Sequence, residues 1–77
     1  MQITPIASNM TELELSNYVR ILFSYKTPVA VYDGKGNYYR TEKKWSVTTS
    51  KHINKWLCGA VAEHKPQEYF NNITQGI

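Results

Sequence analysis

Cationic and aromatic side chains interleave through the middle of the chain, and Arg20, Lys26, Tyr32, Tyr38, Arg40 and Lys44 lead that series. Cations offset phosphate charge and release counterions, while flat rings stack on bases, so the combination suits a nucleic-acid strand. Residues 20–56 hold eight cations against Asp33 and Glu42, a local charge of +6 in a chain whose net charge is +3. The same excess suits an acidic protein surface, and Tyr, Trp and Arg are the residue types that dominate interface hot spots. The bland reading is a solvated face whose Lys and Arg keep an exposed hairpin from pairing with other chains.

A second candidate is Thr48-Thr49-Ser50-Lys51-His52. At a helix start, free N–H groups, hydroxyls and a cation make a phosphate cradle. A plain N-cap accounts for the same hydroxyls, and no glycine is present to let a phosphate approach closely. Lys51 and Lys55, one helical turn apart, extend the basic surface; like charges at that spacing cost a few tenths of a kcal/mol. His52, Cys58 and His64 are spaced six apart, which scatters them around a helix instead of gathering them. No H-E-x-x-H, C-x-x-C or glycine-rich phosphate loop is present, and Gly34-Lys35-Gly36 is too short for one. A non-enzymatic protein without metal or cofactor is therefore expected.

The elements that must position these groups are legible in part. Arg20 to Asp33 (RILFSYKTPVAVYD) alternates β-branched and aromatic residues with polar ones, which predicts a strand interrupted or edge-placed at Pro28. Asp33-Gly34-Lys35-Gly36-Asn37 predicts a hairpin loop leading to a second arm, Tyr38–Ser46. Thr11–Leu15 reads as a third strand joined through Ser16-Asn17. A rival helix stays open there, because Leu15, Tyr18, Val19, Leu22 and Phe23 also follow helical spacing. Ile53, Trp56, Leu57, Ala60 and Val61 form the stripe of the main helix, with its N-cap among Thr48, Thr49 and Ser50. Pro66 suits the start of a last short helix that turns Tyr69, Phe70 and Ile73 inward.

The expected fold is α+β: a two- or three-stranded antiparallel sheet packed on one main C-terminal helix, with a short second helix. The main helix is expected to cover Ile21, Phe23, Val29, Val31, Tyr39 and Trp45. Arg20, Ser24, Lys26, Tyr32, Tyr38, Arg40 and Lys44 would then share a wet outer face.

Seventy-seven residues make one small domain with a thin core, 1–77, in which 1–10 reads as a loosely held lead-in. That length excludes a multidomain machine, a repeat array and a large enzyme with a deep pocket. A single cysteine, Cys58, excludes an internal disulfide, and it is expected as a small buried hydrophobe. No apolar run approaches 18 residues and no basic-then-apolar leader stands at the N-terminus, so a soluble cytoplasmic protein with no membrane partner is expected. Two or three strands leave open edges through which two copies can pair as a C2 dimer.

The runs LFSYKTPVA (Leu22–Ala30) and YYRTEKKWSVTTSKHINKWL (Tyr38–Leu57) resemble a family of small proteins frequent in bacteriophage genomes. The resemblance covers about half of the chain, leaving out the part before Tyr18 and the tail after Ala62. It implies a phage or mobile-element origin and expression inside an infected bacterial cell, and it carries no activity with it. The expected function is a binding module that contacts nucleic acid through the basic and aromatic hairpin face, with phosphate contacts from Arg20, Lys26, Arg40, Lys44, Lys51 and Lys55 and stacking from Tyr32 and Tyr38. The alternative is a phage-encoded inhibitor or adaptor that binds an acidic host protein through the same surface.

Overall fold

Two continuous apolar runs in adjacent strands decide the architecture. Ile21 and Leu22 in β3 (Arg20–Ser24) are both buried, as are all of Pro28–Val31 in β4 (Thr27–Tyr32). Side chains alternate between faces along a strand, so burial of consecutive residues requires cover on both sides of the sheet. The computed structural model, which describes residues 2–15 and 17–75, supplies that cover with two helices.

The sheet has six strands in the order of the chain: β1 (Gln2–Ala7), β2 (Met10–Glu14), β3, β4, β5 (Tyr38–Thr41) and β6 (Ala62–Lys65). β1 to β5 form an antiparallel meander, and β6 pairs parallel to β5 after the crossover helix α1 (Val47–Leu57). α1 lies over one face, packing its Ile53 and Leu57 on Met10, Leu22, Val29 and Ala30 of the sheet. The second helix, α2 (Gln67–Thr74), lies over the other face, where Phe70 is fully buried among Leu13, Ile21 and Val31. Each such buried side chain contributes about 1.5–3 kcal/mol relative to exposure.

This overturns the expected two- or three-stranded sheet on one main C-terminal helix. The meander begins at Gln2, and the segment after α1 adds a sixth strand before α2 turns to the opposite face. The faces also exchange partners. Ile21, Phe23, Val31 and Tyr39 lie under α2, whereas Arg20, Ser24, Tyr32, Tyr38 and Arg40 do share a face, but it is the one that α1 occupies.

Local chemistry accounts for the turns. The stretch 20–33 is two strands, folded back at Tyr25-Lys26, where Tyr25 takes φ 59°. Pro28 is tolerated because β5 pairs with β4 only through Ala30–Tyr32, and β3 shifts register beside it between Leu22 and Phe23. The helical alternative for 15–23 is excluded by β3; of the predicted Ser16-Asn17 join, Ser16 lies outside the described residues. The second arm ends at Thr41, so Lys44 and Trp45 sit in the loop before α1.

α1 is capped by Ser46, whose hydroxyl accepts from the Thr49 N–H at 3.2 Å, and not by the expected Thr48, Thr49 or Ser50. It stops where Cys58 turns left-handed, at φ 51°, ahead of Gly59 at φ 88°. Val61 is therefore beyond the helix and 93% exposed, and Cys58 is exposed instead of buried. Pro66 stands at the extended N-cap of α2, one residue before the first helical position expected for it.

Candidate nucleic-acid interface

Parallel strands β5 and β6 end side by side, at Thr41 and Lys65, and from those ends the two helices depart to opposite faces. In open α/β sheets such a switch point leaves a crevice outside the carboxyl ends of the strands. Here the crevice is a cavity of about 300 Å³ lined by Arg40, Lys43, Lys44, Trp45, Ser50 and His64 among others, with Glu42 the acid on its wall.

Each lining side chain has a local reason for its place. Arg40 and His64 are opposite partners in the parallel ladder and so point to the same face. The Arg40 guanidinium donates to Asn54 Oδ1 at 3.2 Å, while its Nε is buried and has no hydrogen-bond partner among the described residues. Lys43 and Lys44 come from the loop, and the Lys43 ammonium lies 4.3 Å from the centre of the Trp45 ring, a cation–π contact. Trp45 is anchored at its edge: its Nε1 donates to Gln67 Oε1 at 3.1 Å, and Gln67 Nε2 donates to the Pro28 carbonyl at 2.7 Å. Loop, α2 and β4 are thereby tied together around one indole.

A second cavity, about 250 Å³, shares Trp45 and Thr49 with the first. Tyr25 and Val29 form its apolar wall, and Ser24, Ser46 and Thr49 contribute hydroxyls. Ser24 is buried, with Oγ 3.0 Å from Thr49 Oγ1 and 2.8 Å from His52 Nδ1. These hydroxyls therefore act in capping and tethering α1 as well as lining the cavity.

The sequence candidates divide between the two ends of α1. Arg40 and Lys44 line the basic cavity, and Lys26 belongs to the turn that walls the second one. Lys51 and Lys55 are exposed on the outer side of α1. Arg20, Tyr32 and Tyr38 form a cross-strand row beneath the last turn of α1 instead. There Arg20 pairs with Glu14 at 3.5 Å and lies over Tyr32, Tyr32 packs on Tyr38 at 4.7 Å, and Tyr38 meets Trp56 edge-on. A smaller cavity of about 100 Å³ lies in that row, with Glu12 on its wall. These rings are engaged with one another, and carboxylates accompany the cation.

Lys43, Trp45, His64 and Tyr25 were not among the candidates. The signal for Lys43 and Trp45 is the run Lys43-Lys44-Trp45 directly before the Ser46 cap, where a loop must bring cations and a ring to a helix start; Tyr25 and His64 carry none. Lys65 points to the other face, where hydrogen bonding to Glu63 at 2.8 Å holds its ammonium pKa above the ordinary value. Among the described residues no three His, Cys, Asp or Glu side chains cluster as a metal site, and no helix is long and apolar enough to cross a membrane.

The model of a family of unknown function, DUF8033, matches residues 1–72. The chain belongs to that family. The DUF8033 match runs from β1 well into α2, so the shared region is nearly the whole fold and not only the two segments that carried the sequence resemblance. No curated protein and no solved structure matches the chain.

Proposed function

We propose that this DUF8033 member is a non-enzymatic binding module that holds nucleic acid at the corner where β5, β6 and the start of α1 meet. The observation that carries this reading is the convergence of Arg40, Lys43, Lys44 and His64 on one cavity beside an exposed indole. Phosphate oxygens satisfy the cations, and Lys51 and Lys55 continue the positive track along the outer side of α1. The reading keeps the phage-type origin and the cytoplasm of an infected cell as the setting, both supported by the sequence resemblance.

The test is fluorescence anisotropy with a labelled oligonucleotide across a salt series. Affinity is expected to fall log-linearly with salt, and reversal of both exposed loop cations, Lys43→Glu with Lys44→Glu, is expected to abolish binding. No binding at low salt, or undiminished binding by the reversed variant, overturns the proposal. The same cations beside Trp45 also suit an acidic host protein, the second reading. A host-lysate pull-down that recovers a polypeptide after nuclease treatment, combined with no oligonucleotide binding, favours it.

A further inference from the structure

We propose that the cavity between Tyr25 and Trp45 is a slot for one unpaired base, so that the ligand of the basic corner is a single strand and not a duplex. This inference rests on the corner reading and adds the substrate class to it. The two cavities are neighbours that share Trp45 and Thr49 in their walls, but they differ in chemistry. One is walled by cations, as a phosphate requires. The other is walled by Tyr25, Trp45 and Val29, with the hydroxyls of Thr27 and Ser46 on its rim, as the ring and polar edge of a base require.

Size and exposure agree with that division. About 250 Å³ is below the 300–1,000 Å³ usual for a whole small-molecule site and suits one ring system. Tyr25 is 51% exposed and Trp45 38% exposed, so both rings are reachable from solvent. The Ser24 and Thr49 hydroxyls are buried and bonded to each other, to His52 and to Ser46. Contact with a base edge therefore falls to the more exposed Thr27 and Ser46 hydroxyls, which donate and accept alike, and sequence preference is weak. A base inside a duplex has its faces covered and its edge paired, and it enters such a slot only when unstacked.

The experiment compares three probes of equal charge: a single-stranded oligonucleotide, an abasic oligomer of the same length, and a short duplex. DNA and RNA versions of the single strand separate the two sources of the same chemistry. The single strand is expected to bind about tenfold or more tightly than the abasic oligomer, the scale of one stacked base. Tyr25→Asn, which keeps a residue tolerant of the left-handed backbone, is expected to lower single-strand affinity to the abasic level while leaving abasic binding unchanged. Trp45→Phe, which keeps a ring, is expected to retain the preference. Equal binding of abasic and single-stranded probes, or tighter binding of the duplex, overturns the base slot and leaves the corner standing. Failure of all three probes to bind overturns both.

Discussion

Trp56 Nε1 donates to Glu12 Oε1 at 2.9 Å, so the last turn of α1 is pinned to β2 across 44 positions of the chain. The indole also meets Tyr38 edge-on and packs against the core under α1. Trp56→Ala is expected to cost about 3–5 kcal/mol, enough to unfold much of a marginally stable domain. Trp56→Phe, which removes the N–H but keeps a ring, is expected to cost about 1.5–3 kcal/mol, the range for a hydrogen bond to a charged group. Urea denaturation of both variants separates ring from hydrogen bond.

Two glycines of one turn make a controlled pair. Gly34 and Gly36 both have positive φ, 80° and 98°, so alanine at either is strained by about 1–2 kcal/mol. A Cβ at Gly34 also comes within 2.9 Å of the Asn17 carbonyl oxygen, whereas one at Gly36 meets open space. Gly34→Ala is therefore expected to lower the melting temperature distinctly more than Gly36→Ala, as circular dichroism will show.

The carboxylate of Asp33 organises the same turn. It accepts from the Asn37 side-chain amide at 2.8 Å and from the backbone N–H groups of Lys35 and Asn37. The Asn37 side-chain bond is the leading cause that holds the Asp33 pKa below the ordinary carboxylate value. A lowered folded-state pKa contributes stability above the unfolded value, lost as pH falls through the folded one. In an NMR titration, Asn37→Ala is expected to move the Asp33 midpoint upward, toward the unfolded value, which makes this contribution smaller and its loss on acidification complete at higher pH.

The division of cations between the ends of α1 gives a salt-slope prediction. Replacing Lys43 or Lys44 by Ala should each reduce the slope of log affinity against log salt by about 1. Arg20→Ala should leave that slope unchanged, because Arg20 is at the far end of the helix beside Glu14. Equal effects at Arg20 and Lys44 would place the ligand across the whole face instead of at the corner.

What the sequence discloses here follows from which residues bear a one-dimensional signal. α1 announces itself through Ile53, Trp56 and Leu57 at helical spacing, and Phe70 with Ile73 does the same for α2. Arg20–Tyr32 is equally plain as extended chain, but its alternation runs on through Tyr25-Lys26, so the turn that divides it into two strands carries no signal. Alternation sorts their residues into two sets, but it does not say which set faces inward when both are covered. The unbroken burial of Ile21-Leu22 and of Pro28–Val31 is the mark of a doubly covered strand, whereas alternation alone predicts a wet face where α1 in fact lies. Ala62–Lys65, with Glu63 and His64 exposed, bears no strand signal of its own and is held by its ladder to β5. With β6 invisible, the crevice was invisible too, and Arg40 and Lys44 were found without their neighbour His64.

Synthesis delivers the two walls of the crevice at different times. β5 and the Lys43-Lys44-Trp45 loop emerge first, while β6 and Gln67 follow some 20 residues later, because a parallel pair must wait for its crossover. At about 5–20 residues per second that interval is roughly 1–4 s. During it the nascent chain carries the positive charge of that loop without the second wall of the crevice. On the proposed reading, discrimination among polyanions would begin only when the last strand docks, and closure of the β5–β6 seam would be the step that completes the receptor.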